Sequence, residues 1–159
     1  MSASDNKEFQ DPLEDYDPPV FEDPVEQALH DESVESLKTK PLTTVAADLP
    51  VREAMQLMVG NQIACILVEE GGKLVGVFSD RDVLDRVALE YDQVIDGPVR
   101  DVMSTDPVFV EEVDNAAKVL TVMAVSGYRH VPVVNAQGAP TGIVSPVRIS
   151  QFLSSQLNP

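Results

Sequence analysis

Residues 66–79 read ILVEEGGKLVGVFS, and residues 132–145, 66 positions further on, read PVVNAQGAPTGIVS. The two stretches align without a gap. Each contains an apolar run, a turn with glycine and a second apolar run, which is the pattern of a β-hairpin. Each hairpin is followed by apolar residues at helical spacing. The chain therefore contains an internal repeat whose unit includes a hairpin that leads into a helix.

A helix is also predicted before each hairpin, where apolar residues follow the spacing i, i+3, i+4, i+7. These residues are Val51, Ala54, Met55 and Met58 in the first copy, and Ala116, Val119, Leu120 and Met123 in the second. Opening strands are predicted at 41–45 and 107–110, and closing helices at 82–91 and 146–157. Each repeat is thus β-α-β-β-α. Because so small a unit cannot bury both faces of its sheet, we expect an α/β (α+β) fold in which the two repeats pack as a pseudo-twofold pair.

The charge of the chain is concentrated ahead of the repeats. Residues 1–36 hold 12 of the 27 acidic residues and only Lys7 as a base. We predict that this acidic N-terminal extension is partly disordered. It should contain a helix near 24–38, because aspartate followed by proline is typical of a helix start. The repeats are then predicted to span 37–98 and 99–159.

Composition disfavours several classes of protein. A net charge of −16 repels phosphate backbones, so we expect no nucleic acid partner. No apolar run approaches the roughly 18 residues of a membrane helix, so we expect no membrane partner either. The single cysteine, Cys65, lies in an apolar run, which predicts a buried, unreactive thiol and a reducing, cytoplasmic location. His30 and His130 do not form a metal set with Cys65, and there is no phosphate loop or catalytic triad, so we predict that the chain is not an enzyme.

The turn after the first hairpin has two interpretations. Ser79 and Asp82 have the spacing of a capping box, which would start the following helix. The same hydroxyl and carboxylate could instead bind the hydroxyl groups of a ribose. In the second repeat the position of Asp82 is taken by Arg148, after Ser145 and Pro146, so a helix can start there without the acid. This comparison favours a ligand-binding role for Asp82, although both roles can coexist.

Taken together, these features resemble the tandem CBS domains that are also called Bateman modules. The resemblance covers about residues 37–157 and rests on four segments in a fixed order. They are GVFSDRD at 76–82, RHVPVV at 129–134, VREAM at 51–55 and VRDVM at 99–103. It implies two clefts between the repeats, each able to hold an adenosine compound, most often AMP, ADP or ATP.

The resemblance also implies roles for individual residues. Ser79 and Asp82 would hold the ribose, and Val77 would line the pocket. Tyr128, Arg129 and His130 lie at the strand entry of the other repeat, where basic residues of the family face the phosphates. If His130 lies near a phosphate, its protonated form is favoured, and affinity should strengthen at mildly acid pH.

The two clefts are predicted to differ. The cleft with Asp82 keeps the carboxylate and the basic residues together, whereas the other has Arg148 in place of the acid and Ile63 and Ala64 in place of Arg129 and His130. We therefore expect one occupied cleft and one empty or atypical cleft.

The predicted function is a regulatory sensor without a required cofactor. It would bind AMP, ADP or ATP, form a homodimer and signal to an effector protein that the sequence does not identify. The alternative is a ligand-free structural module for dimerisation or interaction, whose cleft is vestigial.

Overall fold

The computed structural model describes residue 17 and residues 19–157 of the chain. Within that range, α-helices and strands alternate in two similar series. In order they are α1 (Pro24–Asp31), β1 (Thr44–Ala46), α2 (Val51–Asn61), β2 (Cys65–Glu70), β3 (Lys73–Ser79), α3 (Asp80–Asp82), α4 (Tyr91–Val94), β4 (Ser104–Thr105), β5 (Val110–Glu111), α5 (Ala116–Ser126), β6 (Val131–Val134), β7 (Pro140–Val144) and α6 (Pro146–Leu157). The series β-α-β-β-α occurs twice, which confirms the predicted fold class.

The strands form two sheets with the same local topology. One has the order β1-β2-β3-β4, and the other has the order β5-β6-β7. In each sheet the opening strand is parallel to the first hairpin strand, and the two hairpin strands are antiparallel. Both sheets therefore present the end of the second hairpin strand, and the helix start that follows it, in equivalent positions.

The sheet of each repeat is extended at its edge by a segment of chain that leads into the other repeat. Strand β4, near the start of the second repeat, pairs with β3 of the first through Gly76 and Thr105. In the second sheet the amide of Ile143 donates to the carbonyl of Thr39 at 3.0 Å. Thr39 lies 66 residues before Thr105, so it holds the equivalent position in the repeat. A Cβ atom on Gly142 would collide with Thr39, so glycine allows this close approach. These two contacts join the repeats in equivalent ways, as a pseudo-twofold arrangement requires.

Two hydrophobic cores lie under the two sheets. The first includes Phe78 and Val87, both completely buried. The second includes residues of its own repeat together with Ala28, Val34 and Leu37 from the segment before the first repeat. Helix α1 packs against α5 and α6. In the region of the helix predicted near 24–38, the structure has α1 over Pro24–Asp31 and, after extended residues at Glu32 and Ser33, a 3₁₀ turn at Val34–Leu37. Residues 1–16 and 18, on which most of the predicted disorder falls, lie outside the described residues.

The continuous helix predicted over 82–91 is wrong. Helix α3 passes into a π-helical stretch, Val83–Val87, in which the amide of Ala88 donates to the carbonyl of Val83 at 2.9 Å. Helix α4 then starts separately at Tyr91. The wider π turn places Val87 in the first core. Apolar spacing predicts which residues are buried, but it does not distinguish an α turn from a π turn.

Among the described residues, no helix combines the length and apolar character that a membrane crossing requires.

Candidate functional site: a cleft between the repeats

The turn from β3 into α3 is a capping box, as its sequence predicts. Ser79 has extended backbone angles, and its hydroxyl accepts from the amide of Asp82 at 3.4 Å. In return, the amide of Ser79 donates to Asp82 Oδ2 at 2.9 Å. Both groups satisfy backbone donors that a helix start leaves free. The capping role of Asp82 is thus present in the structure.

Asp82 makes further contacts that a cap does not need. Its carboxylate accepts from the hydroxyl of Ser79 on Oδ2 and from the hydroxyl of Ser104 on Oδ1, each at 2.7 Å. Nη1 of Arg86 lies 3.9 Å from Oδ1. Asp82 is only 5% exposed and is the one charged residue in the buried class within the described part of the chain. A buried carboxylate requires such donors, because burial without them costs several kcal/mol.

Beside Asp82 lies a cavity of about 600 Å³, which is in the size range of small-molecule sites. Its lining includes every residue predicted to bind the nucleotide: Val77, Ser79, Asp82, Tyr128, Arg129 and His130. The first three come from β3 and α3 of the first repeat. The other three come from the loop between α5 and β6 of the second repeat. The structure therefore brings all six together from two distant parts of the sequence.

The cavity also contains polar residues that the sequence did not single out. Arg81 precedes Asp82 on the same helical segment, Asp85 and Arg86 follow it, and Ser104 comes from β4. Arg86 lies four residues after Asp82, a spacing that could have indicated their proximity on a helix. Ser104 had no such signal, because its place beside Asp82 depends on the pairing of β4 with β3.

The cationic groups of the cleft differ in their surroundings. Arg81 is exposed and pairs with Asp85 at 3.4 Å. Arg86 donates to the backbone carbonyls of Val102 and Met103. Arg129 has no carboxylate within 4.0 Å among the residues that the structure describes. Its guanidinium is therefore the cationic group of the cleft that is free to bind an anion.

His130 is partly buried in the same wall. Burial is the main cause that lowers the pKa of His130 below its usual value, and the positive charges of Arg129 and Arg148 lower it further. The negative charge of Asp80 acts in the opposite direction. The unliganded cleft therefore favours a neutral imidazole, which can donate one hydrogen bond and accept another.

Cys65 also lines the cleft, but its thiol is unreactive. Burial, followed by the charges of Asp82 and Asp80, raises the pKa of Cys65 to about 12. The thiolate, which is the nucleophilic form, is therefore negligible at neutral pH. The predicted buried free cysteine is confirmed. No cluster of His, Cys, Asp and Glu suited to a metal ion occurs in the described part of the chain.

The equivalent turn of the second repeat is built differently. Arg148, at the position of Asp82, donates through Nη2 to the carbonyl of Pro41 at 2.9 Å and through Nη1 to the carbonyl of Ile143. Burial lowers the pKa of Arg148. Its guanidinium therefore joins the end of β7 to the segment that leads into the first repeat.

Comparison with known proteins identifies the repeat. The family model described as CBS domain matches twice, at residues 34–89 and 99–155. The CBS domain-containing protein CBSCBSPB1 of Arabidopsis thaliana is 31% identical over 103 residues, which are 64% of this chain and 19% of that protein. This chain thus spans about a fifth of the length of that relative.

Two similar solved structures contain AMP. A CBS domain protein from Pyrobaculum aerophilum, complexed with AMP, has a TM-score of 0.66 and 22% identity, and the match covers 78% of this chain and 99% of that one. CBSX2 in complex with AMP has a TM-score of 0.67 and 24% identity, over 80% of this chain and 98% of that one. At these identities the likeness shows a common fold.

Proposed function

We propose that this chain, which belongs to the CBS-domain family, binds an adenosine nucleotide in the cleft beside Asp82 and acts as a regulatory module for another protein. The observation that carries the proposal is the single cavity of about 600 Å³ lined by all six predicted residues from both repeats. A ligand in that cavity contacts both repeats at once. Its binding can therefore change how they pack, which is the requirement for a sensor without catalytic chemistry.

The chemistry of the cavity suits the two polar parts of a nucleotide. Asp82 offers the acceptors that bind the two vicinal ribose hydroxyls, and Ser79 holds the carboxylate of Asp82 in place through its amide and its hydroxyl. Arg129 offers a guanidinium that has no carboxylate partner in the described part of the chain and that can bind a phosphate in a bidentate manner. His130 can donate to the same phosphate. AMP in two proteins of the same fold supports AMP, ADP or ATP as the ligand class.

A homodimer is part of the proposal. A second, mostly apolar depression of about 520 Å³ lies along α2 and α3, where Met55, Met58, Ile63 and Val83 contribute to its wall. Leu84 on the same wall is largely exposed. Exposed apolar surface of this kind is typical of an interface. A second copy of the chain would cover it, and the effector protein would then contact the dimer.

One observation favours the alternative of a ligand-free structural module. Arg148 uses its guanidinium to join backbone segments in the second cleft, so that cleft has already lost a nucleotide-binding carboxylate. A direct titration distinguishes the two functions.

The experiment is isothermal titration calorimetry of the whole chain with AMP, ADP, ATP and S-adenosylmethionine, accompanied by thermal unfolding. Ligand at 100 times its dissociation constant should stabilise the fold by about 2.7 kcal/mol, which raises the melting temperature of a chain this long by roughly 5–11 °C. The absence of heat and of any shift with all four compounds would leave the structural module as the function.

A matched pair of variants tests the location of the site. Arg129→Gln removes the unpaired guanidinium and should weaken binding roughly tenfold to a hundredfold, because a hydrogen bond to a charged group contributes about 1.5–3 kcal/mol. Arg52→Gln removes the same charge from α2, where Arg52 pairs with Asp96 outside the cleft. It should bind like the wild type. Equal effects of the two changes would show that the ligand does not bind in this cleft.

A further inference from the structure

The carboxylate of Asp82 has fewer free acceptor positions than a ribose requires. An ionised carboxylate offers about four lone-pair positions. Ser79 takes two of them on Oδ2, through its amide at 2.9 Å and its hydroxyl at 2.7 Å, and Ser104 takes one on Oδ1 at 2.7 Å. The two hydroxyls of a ribose bring two donors. One of the present donors must therefore leave when the ribose binds.

Ser79 is the donor that stays. Its amide is fixed by the turn, and its hydroxyl also accepts from the amide of Asp82 as part of the helix start. Release of the amide would leave a partly buried backbone donor, and rotation of the Ser79 side chain away from Asp82 would leave the helix start without its cap, each at a cost of about 1 kcal/mol or more.

Ser104 is the donor that can leave. Its hydroxyl makes a single hydrogen bond within the described part of the chain, to Asp82, and its side chain lies on the wall of the cavity. A rotation about χ1 releases this hydrogen bond without moving β4. The backbone just before Ser104 is held in place because Arg86 donates to the carbonyl of Met103.

From this geometry we infer that the hydroxyl of Ser104 competes with the ligand's ribose for Asp82, so that nucleotide binding breaks the contact between β4 and α3. This inference rests on the proposed function, because it requires a ribose at Asp82. Strand β4 lies near the start of the second repeat and pairs with the sheet of the first, so it connects the two repeats. The exchange of Ser104 for ribose therefore gives the bound nucleotide a direct effect on that connection.

The test compares Ser104→Ala with Thr105→Ala by calorimetric titration. Both variants lose one hydroxyl from β4, but Thr105 is exposed and makes no side-chain hydrogen bond to Asp82. Ser104→Ala should bind AMP about tenfold more tightly than the wild type, because its carboxylate no longer has an internal donor to give up. Thr105→Ala should match the wild type. Ser104→Cys, whose thiol donates weakly, should change affinity in the same direction as Ser104→Ala.

A second ligand separates competition from a general change in the cleft. With 2′,3′-dideoxyadenosine 5′-monophosphate, which lacks both ribose hydroxyls, the gain of Ser104→Ala should disappear. If the wild type binds AMP and Ser104→Ala binds it equally or more weakly, the competition is refuted while the proposed function stands. A gain that persists with the dideoxy ligand refutes it as well. Failure of the wild type and of every variant to bind AMP refutes both proposals.

Discussion

Replacement of Asp82 by alanine should destabilise the unliganded protein by about 3 kcal/mol. The carboxylate accepts hydrogen bonds from the amide and hydroxyl of Ser79 and from the hydroxyl of Ser104. A hydrogen bond to a charged group contributes about 1.5–3 kcal/mol. The three do not add, because the hydroxyl of Ser104 can turn to water in the cavity, whereas the amide of Ser79 has no such freedom. Loss of the amide contact and of part of the others gives the stated value.

Thermal and urea denaturation without nucleotide measure this loss. For a chain of this length, about 3 kcal/mol corresponds to a fall in melting temperature of roughly 6–12 °C. The matched control is Asp85→Ala, which removes the same charge three residues further on. Asp85 is 62% exposed, and its one ion pair within residues 19–157 is with exposed Arg81, at 3.4 Å. Surface pairs of this kind contribute at most about 1 kcal/mol.

The comparison can refute the assignment of Asp82. If Asp82→Ala and Asp85→Ala unfold within about 1 °C of each other, the buried contacts of Asp82 contribute no stability, and the structural part of its role is wrong. Asp82→Asn adds a second measurement. Its amide group places a donor beside the donors of Ser79 or Ser104, so it should also be less stable than the wild type, although it preserves the shape of the side chain.

Three further predictions concern other parts of the molecule. In urea denaturation, Leu37→Ala should lower the free energy of unfolding by about 2–5 kcal/mol, because Leu37 fills the core of the second repeat. Leu89→Ala, at a residue that is 88% exposed, should change it by no more than about 0.5 kcal/mol, and equal losses would contradict this packing. Calorimetry should give one nucleotide per chain for the wild type and for Arg148→Ala, and a second site in either would contradict the assignment of a single functional cleft. The free energy of unfolding should fall between pH 7 and pH 5, because burial lowers the pKa of His130 in the folded protein and the unfolded chain therefore takes up the proton first. His130→Gln should reduce this dependence of stability on pH, and an unchanged slope would refute the buried position of His130 as its cause.

The fold was predictable because its signals are local and occur twice. The glycine turns at 71–72 and 138 separate apolar runs that become hairpins, and the helix before each hairpin has its apolar residues at the expected spacing. Repetition made each weak signal stronger, since the same pattern at the same offset is improbable by chance. The structure bears out this part of the interpretation.

The candidate site was predictable only in part. Asp82 is marked by its motif, and Arg129 by a resemblance to a known family, and the structure places both on one cavity. Their contact with a nucleotide stays a prediction. Ser104 was not predicted, because no property of its own segment indicates that β4 crosses to the sheet of the first repeat. The contact of Ser104 with Asp82 is a tertiary contact that depends on the pairing of β4 with β3. A sequence pattern does not predict such a contact until the topology of the sheets is known.

Asp82 and Arg148 occupy equivalent positions in the two repeats but hold their contacts in different ways. Each lies at the start of the helix after a hairpin, and each bonds to the segment that leads into the other repeat: Asp82 to the hydroxyl of Ser104, and Arg148 to the carbonyl of Pro41. A carboxylate only accepts, so a ribose hydroxyl can take the place of a serine hydroxyl at almost equal energy. A guanidinium only donates, and its partner here is a backbone carbonyl that cannot rotate away. Under the proposed function, exchange with a ligand is therefore easy in the first cleft and costly in the second, so that a bound nucleotide would switch the contact between repeats in one cleft and leave it unchanged in the other.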